Sequence, residues 1–160
     1  MNVTTSIDHT ERKTKMLRTL ATMALLATSL TTVHAAEARK AVLYKNPQCG
    51  CCEGYADYLR QNGFEVEVKP SNDLAEISRK AGVPADFQGC HTTFIDGYVV
   101  DGHVPVKIVE KLLTERPEIA GIALPGMPMG SPGMGGEKTE PFTVYALPKT
   151  AGEPAVYATE

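Results

Sequence analysis

Three of four consecutive positions, Cys49, Cys51 and Cys52, are cysteine. They stand where a short β-prone run gives way to an amphipathic stripe, so a strand must end and a helix begin around them. "KAVLYK", Lys40 to Lys45, reads as a buried first strand, and "NPQCGC" follows as a turn. From there Cys52, Tyr55, Ala56 and Leu59 fall at i, i+3, i+4 and i+7, one face of a helix. Asn62-Gly63 supplies the usual helix ending. "FEVEVKP" alternates Phe64, Val66 and Val68 with charged residues, the pattern of a strand with one wet face. "SNDLAEISRKAGVP" offers a Ser71 or Asn72 cap, apolar Leu74, Ile77 and Ala81, then Gly82 and Pro84 as a stop.

Strand, helix, strand and helix in close succession form a βαβ unit with a further helix. In "CHTTFIDGYVVDGHVP", Thr92–Ile95 and Tyr98–Val100 flank an Asp96-Gly97 turn and predict a hairpin. Pro105 suits the first position of a helix whose Val106, Val109, Leu112 and Leu113 face inward, and Pro117 stops it. The order β-α-β-α-β-β-α, with a Cys-rich turn after the first strand, predicts an α/β, thioredoxin-like domain. Residues 124–141, "LPGMPMGSPGMGGEKTEP", have no helical or strand period and read as a Met/Gly/Pro-rich loop. In residues 142–160, "FTVYAL" and "PAVYAT" predict a C-terminal β-hairpin.

The N-terminus reads as a targeting segment. Lys13, Lys15 and Arg18 precede an apolar run from Leu20 to Leu30, and Val33-His34-Ala35 ends in small residues of the kind a signal peptidase accepts. The run is too short and too rich in threonine to span a bilayer. Residues 1–35 are therefore an N-terminal extension and signal peptide, and residues 36–160 form the working domain. The expected location is the periplasm, with no stable membrane span after cleavage. The remaining chain carries more acidic than basic side chains and no basic stripe, which argues against nucleic acid as a partner.

All four cysteines, Cys49, Cys51, Cys52 and Cys90, lie in the exported part. Structural disulfides are a poor use of them. Three crowd one turn, and closing so short a loop removes little entropy from the unfolded chain. Cys49 and Cys52 have the Cys-x-x-Cys spacing of a redox dithiol, and the free N–H groups of the helix start would favour thiolate at Cys49. For dithiol chemistry Cys51 is surplus. For a metal the crowding is useful: successive helical residues point about 100° apart, so Cys51 and Cys52 suit neighbouring ions bridged by sulfur. Thiolates and thioethers select soft ions, Cu(I) foremost. Met127, Met129 and Met134, with little core to pack into, tilt the choice from zinc to copper. Cys90-His91 adds a fourth sulfur and an imidazole at the start of the third strand, where thioredoxin-like folds abut the cysteine turn. His103 is explained as well by a turn or capping role, and Tyr44, Tyr55 and Tyr58 by core or rim packing.

On "NPQCGCC", "GVPADFQGCHT", "DGYVVDGHVP" and "PGMPMGSPGM" the chain resembles the CopG-type family of exported thioredoxin-like proteins of bacterial copper-resistance systems. The resemblance implies a periplasmic copper-binding protein with a cysteine-bridged, multinuclear Cu(I) cluster and a role in interconverting Cu(I) and Cu(II). It carries over to Cys49, Cys51, Cys52 and Cys90 as ligands, with His91 and the loop methionines contributing, and to other periplasmic copper-handling proteins as partners. A second resemblance, of "YKNPQCG" to the active-site turn of thioredoxin-like arsenate reductases, is weakened by Gly50, Cys51, Cys52 and Glu53, which offer no basic cradle for an oxyanion. The rival function is a thiol–disulfide oxidoreductase using Cys49 and Cys52.

Overall fold

A computed structural model describes residues 38–160; the signal-peptide segment expected at residues 1–35 lies outside them. Strand β1 (Arg39–Lys45) leads into helix α1 (Gly50–Gln61), which returns to strand β2 (Phe64–Pro70). The inward stripe is the predicted one: Cys52, Tyr55, Ala56 and Leu59 are all buried. Asn62 caps the helix and Gly63 takes a left-handed conformation beyond it. In β2, Phe64 is buried while Glu65 and Glu67 are exposed, giving the expected wet face.

Helix α2 (Leu74–Lys80) departs from expectation in two ways. Asp73, rather than Ser71 or Asn72, is the capping position, and its side chain makes no capping bond. Ser71 instead accepts a hydrogen bond from the Asp73 N–H at 3.1 Å. Leu74, Ile77 and Ala81 are only half-buried, and the buried side chain is Ser78. Its hydroxyl reaches Leu74 O at 2.9 Å and Thr92 Oγ1 at 2.7 Å, so a polar tie docks this helix where an apolar face was expected.

Strands β3 (His91–Ile95) and β4 (Tyr98–Asp101) form the predicted hairpin. Asp96 and Gly97 both have positive φ, the type I′ geometry that an Asp-Gly pair tolerates. Pro105 precedes helix α3 (Val106–Glu115), whose Val106, Ile108, Val109, Leu112 and Leu113 are buried. Strand order is β2-β1-β3-β4-β5-β6-β7. The pair β1–β2 is parallel, while β1–β3 and β3–β4 are antiparallel. With the three helices, this is a thioredoxin-like architecture.

The short strand β5 (Gly121–Ala123), parallel to β4, was not legible beforehand. It is three residues long and has no alternation to read. Through it the terminal hairpin, β6 (Thr143–Leu147) and β7 (Ala155–Thr159), continues the main sheet. Residues 124–141 hold no strand or helix, as predicted.

Leu147 shows how closely the terminal hairpin is integrated. It is fully buried, pairs with Gly121, and accepts a hydrogen bond from Ala120 N–H at 2.8 Å. Leu147→Ala is expected to lower unfolding free energy by about 2–5 kcal/mol in a denaturant titration. A separately folded hairpin would give almost no change in the main transition.

Candidate metal centre

The register of β1 against β3 builds the site. Lys45 pairs with His91, so the turn leaving β1 lies beside the residue that enters β3. Cys49 is the capping residue of α1, and its sulfur accepts a hydrogen bond from Cys52 N–H at 3.3 Å. Cys90, 38 residues beyond Cys52, has its sulfur 3.2 Å from that of Cys52 and 3.7 Å from that of Cys51. Cys51 and Cys49 sulfurs are 3.3 Å apart. All four sulfurs lie within 4.8 Å of one another. Cys90 thus faces the cysteine turn, as its sequence position suggested.

The structure joins Cys49 to Cys52 in a disulfide, leaving Cys51 and Cys90 free. This differs from the expectation of four reduced sulfurs sharing ions. The physical reason is proximity: a capping residue and the third position of the first helical turn hold a Cys-x-x-Cys pair at a Cα separation of 5.5 Å, within disulfide reach. Two of the four candidate ligands become thiolates only after reduction.

A second cluster shares Cys90. Its sulfur lies 3.7 Å from His91 Nδ1 and 3.6 Å from His103 Nε2, and the three donor atoms fall within 4.8 Å of one another. His103 is therefore a site residue that sequence reasoning undervalued; nothing in "DGHVP" alone separates a ligand from a turn residue. Its Nδ1 is 2.6 Å from Pro132 O, so Nδ1 carries the proton and donates it. The Nε2 lone pair is then left facing Cys90, the tautomer a metal ligand needs.

Helix α1 fixes the His103 segment from below. Tyr55 donates its hydroxyl to Val104 O at 2.9 Å, and Tyr58 accepts from Val106 N–H at 2.9 Å. The Tyr55 ring also lies against His91, centroids 4.6 Å apart, and meets His103 edge-on at 5.5 Å. His91 and His103 are both fully buried, shut off from solvent. His91 Nε2 has no hydrogen-bond partner. A buried, unpaired imidazole nitrogen is costly, and it is Nδ1, not this atom, that lies beside the Cys90 sulfur.

Burial keeps these groups neutral. It drops His91 to about 3, helped by neighbouring His103, and lowers His103 as well. Burial also pushes the Cys90 thiol up to about 12, with Cys51 adding to the effect. A cation entering here therefore displaces a proton from Cys90 rather than meeting a ready thiolate. Below the cysteine turn, buried Lys45 donates to Pro47 O at 3.3 Å and pairs with Glu53 at 3.0 Å, tying the turn to α1.

The Met-rich loop seats on the same corner. Gly133, at φ +80°, lies against the backbone of α1; a Cβ there would come within 2.9 Å of Cys51 O and clash with Tyr55 N. The facing residue is Gly54, whose own Cβ would sit 3.0 Å from Gly133 O. Met134, next in sequence, is half-buried. Met127 and Met129 are exposed, and Met129 packs over Gly136. Of the three methionines, Met134 is the one carried to the cysteine turn by its neighbour's contact.

One family model matches residues 87–134, described as a protein of unknown function, DUF411. That span contains Cys90, His91, His103 and the three methionines but not the cysteine turn. Two solved structures match, both of copper resistance protein CopG. Form 2 is 37% identical with a TM-score of 0.71, covering 78% of this chain and 99% of that one. Form 1 is 37% identical with a TM-score of 0.69, covering 76% and 96%. No curated protein sequence matches.

Two outcomes test this geometry. Gly133→Ala has neither the φ nor the space it needs, so limited proteolysis of the metal-free protein should cut residues 124–141 several-fold faster than in wild type, whereas Gly135→Ala, which meets open space, should not. The lowered His91 means that the unfolded chain binds a proton the folded chain refuses. Its contribution to stability is complete above about pH 6.5 and falls as pH drops toward 3. Between pH 7 and 5 the metal-free wild type should lose about 2 kcal/mol more than His91→Phe, read from urea midpoints.

Proposed function

The chain belongs to the copper-resistance protein CopG family, and from that premise we propose that it is a periplasmic protein that binds copper as Cu(I). The observation that carries the reading is the convergence of four sulfurs and two neutral imidazole nitrogens, from three separate stretches of chain, on one largely desolvated corner. Soft thiolates favour Cu(I), and imidazole suits copper in either oxidation state. In the proposed loaded form, reduced Cys49, Cys51, Cys52 and Cys90 share several cuprous ions through bridging sulfur. His91 and His103 complete the donor set at Cys90, and Met134, Met127 and Met129 supply thioethers from the loop. Interconversion of Cu(I) and Cu(II) at this mixed sulfur and nitrogen site is part of the same proposal, as is exchange with other periplasmic copper-handling proteins. Residues 1–35 would export the chain. No helix among the described residues is long and apolar enough to cross a membrane.

Anaerobic titration of the reduced chain with Cu(I), followed by copper counting and X-ray absorption at the copper edge, tests the reading. Sulfur-dominated coordination with more than one copper per chain is expected. Cys51→Ser and Cys90→Ser should each lower the bound copper, and loading near neutral pH should release protons, because the Cys90 thiol is protonated beforehand. Unchanged copper counts in the serine variants would end the proposal.

The Cys49–Cys52 disulfide favours a second reading, a thiol–disulfide oxidoreductase. It requires only those two cysteines. Turnover of a protein disulfide by copper-free chain, retained in Cys51→Ser, Cys90→Ser and the methionine variants, would select it over copper binding.

A further inference from the structure

Cys90 and His91 are held from one side by the pairing of β3 with β1 and by the bonds from Asn46 N–H to Cys90 O and from Gly102 N–H to His91 O, each 3.3 Å. A cavity of about 270 Å³ opens beside Gly89 and Cys90, bordered by Asn46, Ser71, Ser78 and Gln88. A carboxyl group on the neighbouring strand adds a second restraint.

Asp101, at the end of β4, is fully buried, and no cationic side chain among the described residues is bonded to it. Its two oxygens are divided between the residues that bracket the Cys90-His91 pair. Oδ1 accepts the N–H of Gly89 at 2.6 Å, and Oδ2 is 2.6 Å from the hydroxyl of Thr92. The Thr92 hydroxyl continues to Ser78 Oγ at 2.7 Å, and Ser78 reaches Leu74 O at 2.9 Å, so the clamp is anchored in helix α2. Two residues beyond Asp101 stands His103, with its ring on Cys90. Burying a carboxyl is costly, and this one makes no bond outside the clamp. A hydrophobic residue at the end of β4 would fill the space at lower cost if packing were its purpose.

We infer that Asp101 is a positioning residue: by clamping Gly89 and Thr92 it holds the Cys90 sulfur and the His91 ring toward the cysteine turn and away from the adjoining cavity. The inference rests on Cys90 and His91 being the metal donors proposed above, but the clamp itself is measurable without metal. Asp101→Asn preserves it. The amide oxygen accepts Gly89 N–H, the amide N–H donates to Thr92, Thr92 to Ser78, and Ser78 to Leu74 O, so each bond has one proton. Asp101→Ala removes both arms. Thr92→Val removes one arm at nearly constant shape.

The experiment has two readouts on the full chain. In the reduced, metal-free protein, hydrogen exchange of peptides covering residues 87–91 should quicken about tenfold in Asp101→Ala relative to wild type, with α1 and α3 peptides unchanged. It should quicken less in Thr92→Val and stay at the wild-type rate in Asp101→Asn. In competition with a chromogenic cuprous chelator, Asp101→Ala should lose about tenfold in Cu(I) retention, and Asp101→Asn should restore it. If Asp101→Ala fails to fold, Thr92→Val and Asp101→Asn carry the test by the same ordering. Wild-type exchange in Thr92→Val and Asp101→Ala would overturn the clamp, as would Asp101→Asn behaving like Asp101→Ala. A wild type that retains no Cu(I) would overturn the proposed function and leave the exchange result to decide the clamp.

Discussion

The antiparallel pairing of β1 with β3 is the constraint on which the site depends. Because Lys45 lies opposite His91, the chain leaving β1 and the chain entering β3 emerge on the same end of the sheet. Sulfurs separated by 38 and 39 residues of sequence then meet within contact distance. A one-residue slip would turn Cys90 and His91 to opposite faces from those they occupy. The flanking pairings of β1 with β2 and of β3 with β4 hold the register, and the buried residues Ala41, Leu43 and Ile95 fix it from the core.

Desolvation then decides the chemistry of the site. One environment disfavours charge on imidazole and on thiolate alike, so the unliganded cluster is a set of neutral donors: His91 and His103 as uncharged imidazoles, Cys90 as a thiol. Neutral donors tolerate crowding that four thiolates would resist through mutual repulsion. The same crowding brings Cys49 and Cys52 within bonding reach. In the proposed loaded form the disulfide and the metal would draw on the same two sulfurs, so the redox state of the turn would set how many ligands it offers.

Much of this was legible in the sequence because local patterns and tertiary packing agree. The stripe Cys52, Tyr55, Ala56 and Leu59, the Asp96-Gly97 turn and the inward face of α3 each appear where periodicity and turn chemistry put them. The convergence of Cys90 on the cysteine turn followed from fold topology once the element order was read. What escaped were the individual contacts that element order does not dictate. Ser78 is buried because Thr92 is there to bond it, and no local pattern distinguishes it from a surface serine. His103 turns a free Nε2 toward Cys90 only because Pro132, 29 residues away, takes its other nitrogen. β5 is too short to carry a period, and its existence depends on β4 and β6.

The loop that closes over the cysteine turn is seated by glycine against glycine, Gly133 on Gly54, main chain to main chain. Such a seat carries no side-chain code. A Cβ on either of these two α-carbons would push main chain from main chain, so the seat is set by the absence of a side chain rather than by the presence of one.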